Sequence, residues 1–281
     1  KAKYTSDIEL PGMLYAKVLR SPYPHARIKK IDISKAENLP GVRAVISYKN
    51  VPSIPWWNNT NILDTTMRFA GDEVAVVAAE DEYIAEDALN MIRVEYEILP
   101  FVLDEEESLK PGSPQIHREG NVVGGRPRYY RRGDVRKGLA EADVVIEEHF
   151  RTQAVLHNCM ESHGAVAFWE GDVLTVWEST QALWNVQDDL VEAFNIPRNK
   201  VRVICEYMGG GFGSKQYSGK WSVLAAVLSR QTGRPVRLLY DRKDENLATG
   251  NRSSTIQYLK IGAKKDGTLT AMDFKALIPA L

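Results

Sequence analysis

The stretch that most constrains this chain is residues 201–230, where VRVICEY runs into MGGGFGSKQ and, four residues later, into KWSVLAAVLSR. Residue type fixes the order of elements. The β-branched run favours an extended pleat, three consecutive glycines make a tight turn, and the Ala- and Leu-rich run that follows is a good helix former. A turn of this kind exposes backbone N–H groups and lets another molecule's oxygens approach closely, and the nearby helix N-terminus adds partial positive charge. A phosphate or a metal-oxo group fits such a place. Two nucleotide motifs fail by counting: Ser214 separates Gly213 from Lys215, so there is no P-loop, and Ser214 also stands where a Rossmann fingerprint needs its last glycine. A turn that only lets neighbouring elements pack is the alternative reading.

The rest of the chain reads as α+β. Strand patterns fall at residues 13–19, 27–33, 42–47 and 73–79, followed by a helix over 81–91 and a strand over 92–96. Charge, Gly and Pro in LDEEESLKPGSP then break the periodicity, which places a linker at 103–134 between a first domain, 1–102, and a second, 135–281. In the second, strands are expected at 144–152, 164–169 and 173–177, an amphipathic helix at 181–194, a strand at 201–207, a helix at 220–229 and a strand at 236–240. KKDG marks a hairpin between 254–261 and 268–276.

Lysine and arginine total 36 against 37 acidic residues, so no net field draws the chain to nucleic acid or to a membrane surface. The one locally basic stretch, RPRYYRR at 126–132, reads as a solvated linker or a partner-docking strip. Cys159 and Cys205 are too few and too far apart for a disulfide framework or a self-contained iron–sulfur or zinc site, so any metal arrives by other means. His157, Glu161 and His163 form H-x3-E-x-H, but without further ligands and on a strand-and-turn segment rather than a helix. No run approaches the ~20 apolar residues of a membrane span, and the first residues lack the apolar core of a signal peptide. A cytoplasmic protein acting on a small molecule is expected.

The glycine turn does not stand alone. ESTQALW precedes it at 178–184 and GRPVRLLYDRKDENLATGNR follows at 233–252; with GGGFGSK these resemble the molybdopterin-binding subunit of the xanthine oxidase family, which includes aldehyde oxidoreductases, carbon monoxide dehydrogenase and hydroxybenzoyl-CoA reductase. Residues 4–102, with YTSDIELPGMLYAKVLRSPYPHARI and GDEVAVVAAEDEYIAEDAL, resemble that family's hammerhead-like α/β domain, and 134–281 the first part of its cofactor-binding α+β region.

The resemblance implies specific roles. Gln181 falls on the glutamine beside the molybdenum oxo ligand, where a neutral amide donates to oxygen without adding charge. Gly211, Phe212 and Gly213 fall on the cofactor loop, with the N–H groups of Phe212 and Gly213 directed at the molybdenum ligands. Gln216 falls where purine-oxidising members carry a substrate-binding glutamate. Glutamine offers donor and acceptor without charge, which argues against xanthine and leaves a heteroaromatic acid, an aldehyde or an acyl thioester open. The implied activity is oxidative hydroxylation of an electron-poor carbon at a molybdenum–molybdopterin cofactor, in its cytosine dinucleotide form, with electrons leaving through 2Fe-2S clusters to FAD on partner subunits. One branch of the family runs as a reductase on an aromatic acyl-CoA, and a non-catalytic interaction subunit on the same scaffold is a further alternative. The family's general-base glutamate is expected outside residues 1–281, supplied by a C-terminal molybdenum-subunit segment or a second molybdenum subunit, within a higher oligomer.

Overall fold

The computed structural model describes residues 2–57 and 60–279. In chain order it forms β1 (Leu14–Arg20), β2 (Ala26–Asp32), α1 (Ser34–Glu37), β3 (Val42–Ser47), the short β4 (Pro55–Trp56), β5 (Thr60–Asn61) and β6 (Thr66–Met67), then β7 (Glu73–Ala79), α2 (Glu82–Met91) and β8 (Arg93–Ile98). Next come α3 (Glu105–Ser108), α4 (Val135–Ala140) and β9 (Val144–Thr152), then β10 (Gly164–Glu170), β11 (Val173–Glu178), α5 (Leu183–Phe194), β12 (Val201–Ile204), α6 (Lys220–Thr232), β13 (Val236–Leu239) and α7 (Arg242–Ala248). β14 (Thr255–Ala263) and β15 (Leu269–Leu277) close the chain. The fold is mixed α+β.

Contacts group the chain into two compact units, one made of residues 1–99 with 157–250 and the other of 100–156 with 251–281. This grouping differs from the expected linear division into 1–102, 103–134 and 135–281. In the first unit a seven-stranded sheet runs in the order β12-β11-β10-β13-β1-β7-β3, so β1 pairs with β13 on one side and β7 on the other. A strand from the beginning of the chain is therefore hydrogen-bonded inside a sheet built mostly from its second half. The stretch at 103–134 belongs to the second unit, to which 100–156 and 251–281 both contribute.

Two cores lie within the first unit. α6 is buried at every position from Trp221 to Ser229, the signature of a helix surrounded by protein. It packs with β1, β10, β11 and β13 in a cluster that includes Leu14, Ala165, Val176, Leu224 and Leu238. The second core joins α2 to β2 and β7 through Ile28, Val74, Val77, Ala85 and Ala88. Local signals terminate the helices: Asp81 accepts from Tyr83 N at the start of α2, Asn195 ends α5 in the left-handed region and Gly233 does the same for α6. Among the described residues no helix is long and apolar enough to cross a membrane.

Two boundaries matter for the site. The amphipathic helix expected from 181 begins at Leu183, leaving Gln181 before it, and the strand expected over 201–207 stops at Ile204. The whole span from Cys205 to Gly219 is thereby available as loop.

Candidate functional site

Ser179, Thr180 and Gln181 leave the end of β11 and meet the glycine loop between β12 and α6. Gln181 N donates to Lys215 O at 2.7 Å, and Thr180 Oγ1 donates to the same carbonyl at 3.0 Å. The Gln181 side chain returns the contact: its Oε1 accepts from Gly213 N at 2.8 Å and from Lys215 N at 3.4 Å. Segments more than thirty residues apart thus form one unit, and the Gln181 Nε2 has no hydrogen-bond partner among the described residues.

Glycine is required in this loop for close approach. A Cβ at Gly211 would stand 2.5 Å from Gln181 Cδ and Oε1, and one at Gly209 would stand 2.5 Å from Glu161 Cβ. Phe212, at φ 50°, lies in the left-handed region that a residue with a side chain enters at a cost of roughly 1–2 kcal/mol. Phe212 is 59% exposed, and Gln181, Gly213 and Gln216 are exposed beside it in the sequence motifs.

Behind the loop lies a buried polar cluster. The Glu161 carboxylate accepts from Gly209 N at 2.7 Å, Ser179 Oγ at 2.7 Å and Thr5 N at 3.1 Å. Lys215, 1% exposed, donates to Glu161 O at 2.7 Å and to Ser179 Oγ at 2.8 Å, with its Nζ 4.0 Å from the Glu161 carboxylate. Burial pulls the Lys215 pKa down, and the Glu161 charge opposes that shift. A cavity of about 420 Å³ adjoins this cluster, lined by Tyr4, Ser6, Met160, Glu161, Ser162, Gly209 and Leu239. Its lining does not include Gln181, Phe212 or Gln216.

Nearby, burial pushes Glu178 up to about 8, and one of its oxygens accepts from Trp221 Nε1 at 2.8 Å. His163 Nδ1 and Glu245 Oε1 are 2.8 Å apart, both residues buried. Of the H-x3-E-x-H residues, Glu161 therefore faces loop amides and Lys215 while His163 faces Glu245, so these two side chains serve different neighbours.

The expected residues Gln181, Gly211, Phe212 and Gly213 are brought together, with one difference. The Gly213 N–H expected to face a ligand already donates to Gln181, so the accessible donor of that pair is the Gln181 Nε2. Gln216 follows directly on the buried Lys215, and its backbone oxygen accepts from Asn185 Nδ2 at 3.1 Å. Sequence reasoning missed Lys215 and Ser179 and left Glu161 without a role. The available signal was a lysine placed directly after a glycine loop with no P-loop to explain it.

This arrangement fits a group bearing oxygen acceptors. An unpartnered amide N–H₂ and an exposed, conformationally restricted loop stand in front, and the polar groups behind them are bonded to one another, so little reorganisation is needed on binding.

Comparison with known proteins gives two family matches: a molybdopterin cofactor-binding domain over residues 116–280, and the a/b hammerhead domain of aldehyde oxidase and xanthine dehydrogenase over residues 1–100. A probable xanthine dehydrogenase component of Bacillus subtilis is 37% identical over 97% of this chain and 37% of its own length. The nicotinate dehydrogenase large molybdopterin subunit of Eubacterium barkeri is 33% identical over 96% of this chain and 64% of its own length. Among solved structures, quinoline 2-oxidoreductase from Pseudomonas putida 86 superposes with a TM-score of 0.87 at 32% identity, covering 97% of this chain and 36% of that one. The chain spans little more than a third of the length of the Bacillus relative and of the quinoline enzyme chain.

Proposed function

The chain belongs to the aldehyde oxidase and xanthine dehydrogenase family as a molybdopterin-binding subunit, and from that premise we propose that it serves a multi-subunit oxidoreductase hydroxylating an electron-poor carbon of an N-heteroaromatic or aldehyde-like substrate. Bound molybdenum–molybdopterin, in the cytosine dinucleotide form, supplies the redox chemistry. The chain would bind and orient: Gln181 would donate its side-chain N–H to the cofactor, Gly211, Phe212 and Gly213 would hold the loop that receives it, and Gln216 would meet the substrate. Electrons pass through 2Fe-2S clusters to FAD on partner subunits, and further molybdenum-subunit polypeptide completes the site. The modules 1–102 and 135–281, joined by 103–134, are read as inherited units that share one sheet, β1 of the first pairing with β13 of the second.

The observation that carries this reading is the joining of the Ser-Thr-Gln segment to the glycine loop through Gln181 Oε1, with the Gln181 Nε2 left to donate. Co-expression with the remaining molybdenum-subunit polypeptide in a host that makes the cofactor, with metal and pterin analysis of the purified complex, tests it. Wild type is expected to carry molybdenum and pterin in equal amounts, and Gln181→Ala to carry at least tenfold less of both with its circular dichroism spectrum retained. Equal retention by the two proteins, or no pterin in wild type, would refute it.

A further inference from the structure

The sheet of the second unit runs in the order β15-β14-β9, and its register sorts every side chain onto one of two faces. Ile261 lies opposite Ile146 and Met272, Leu259 opposite Glu148 and Phe274, and Gln257 opposite Phe150 and Ala276. Ala263 extends the same face through Val144 and Leu269. On the other face, α4 and the residues after it pack against the Gly262 and Thr270 end of the sheet. A Cβ at Gly138 would stand 2.4 Å from Thr270 O, and one at Gly262 would stand 2.9 Å from Ala142 Cβ.

The first face is bare. Exposure is 50% at Val144, 57% at Ile146, 48% at Phe150, 64% at Leu269 and 53% at both Met272 and Phe274. Together these expose on the order of 500 Å² of contiguous apolar surface, as much as the largest patches that monomers leave to water. β9, an edge strand, is exposed along its whole length. Glu148 is the only charged residue that the register places on this face.

Two occupants compete. A second copy would bury about 500 Å² of this patch on each side, short of the roughly 800 Å² per partner of a stable interface. The alternative is polypeptide belonging to the same subunit, which is held at high effective concentration and needs less area. The matched region is only 37% of the Bacillus relative and 36% of the quinoline enzyme chain, so both have ample further polypeptide for such a face.

We propose that the Ile146/Ile261/Met272/Phe274 face of the β15-β14-β9 sheet is the docking surface for the part of the subunit that these relatives carry outside the matched region. The covering surface is apolar, with a basic or amide donor opposite Glu148. This inference rests on the reading of the chain as one component of a larger molybdenum subunit.

The test co-expresses the 281-residue chain with the longer stretch of the Bacillus subtilis relative that flanks its matched region. Wild type, the double variant Ile146→Asp/Phe274→Asp and the control Tyr83→Asp are compared. Tyr83 is 77% exposed on α2 in the other compact unit. Wild type and the control are expected to co-purify with the flanking stretch, and the double variant to bind it at least thirtyfold more weakly with an unchanged circular dichroism melt. Equal binding by wild type and the double variant overturns the docking surface and leaves the larger-subunit reading standing. Binding by none of the three overturns both. A wild-type dimer in sedimentation that the double variant lacks assigns the face to self-association and overturns the proposal.

Discussion

Removing either member of the Glu161–Lys215 pair should cost stability unequally, because the two groups are unequally provided with partners. Glu161→Gln leaves a buried ammonium with two neutral acceptors, Glu161 O and Ser179 Oγ, and removes the foremost of its counter-charges, the Glu245 carboxylate remaining as a lesser one. At 4.0 Å the lost attraction is roughly 4 kcal/mol for an effective dielectric constant near 20, in line with the ~3–5 kcal/mol seen when one partner of a buried pair is removed. Lys215→Met, by contrast, leaves a carboxylate that still accepts from Gly209 N, Ser179 Oγ and Thr5 N, so about 2 kcal/mol is expected. The double variant should fall short of the sum by about 1–3 kcal/mol.

The pH dependence separates the two single variants further. Burial lowers the folded-state pKa of Lys215, so between that value and the unfolded one the unfolded chain binds more protons. The stability contribution of this group therefore rises with pH across that window. Glu161→Gln extends the window downward, and its destabilisation should shrink as the pH is raised toward 10, whereas that of Lys215→Met should not. Urea titrations followed by circular dichroism from pH 6 to 10 measure this. Additive losses, or a Glu161→Gln deficit that is flat with pH, would refute the claim that the two charges hold the loop as a pair.

Two further outcomes are expected. Glu178 is raised from 4.5 to about 8 by burial, so the folded chain holds a proton that the unfolded chain releases. Its contribution is complete below pH 4.5 and lost as the pH climbs through 8, on the order of 5 kcal/mol across the window. Glu178→Gln, which can still accept from Trp221, should flatten the fall in urea midpoint between pH 5 and 8, and a slope unchanged from wild type would count against the assignment. Gly211→Ala sets a methyl 2.5 Å from the Gln181 amide. It should push Gln181 off Gly213 N and speed deuterium exchange at residues 208–216 at least tenfold, and unchanged exchange would show that the close approach is not needed.

Much of the site was legible because its information is local. The glycine run, the helix-forming sequence behind it and the Ser-Thr-Gln segment each declare themselves within a few residues, and so do the strands at Glu73–Ala79 and Val144–Thr152. The contacts that fix the site are not local. Thr5, Glu161, Ser179, Gly209 and Lys215 meet across up to 156 positions, and no periodicity encodes that. The same limit hid the insertion of β1 between β13 and β7, since the register of distant strands depends on which faces are buried together. Gln181 was assigned by resemblance, but only the end of β11 and the delayed start of α5 explain why its side chain is free to turn onto the loop.

The division between an exposed front and a clamped back has an energetic reason. Phe212 in the left-handed region is strained by roughly 1–2 kcal/mol, and a strained residue persists only where its surroundings over-determine it. Gln181 Oε1 fixes the loop at Gly213 and Lys215, and Glu161 fixes it at Gly209, so Phe212 is held from both sides. Neither anchor uses the Gln181 Nε2. Under the proposed role the loop is rigid before a ligand arrives and still presents a donor when it does, whereas a loop anchored through that N–H would have to break its own support in order to bind.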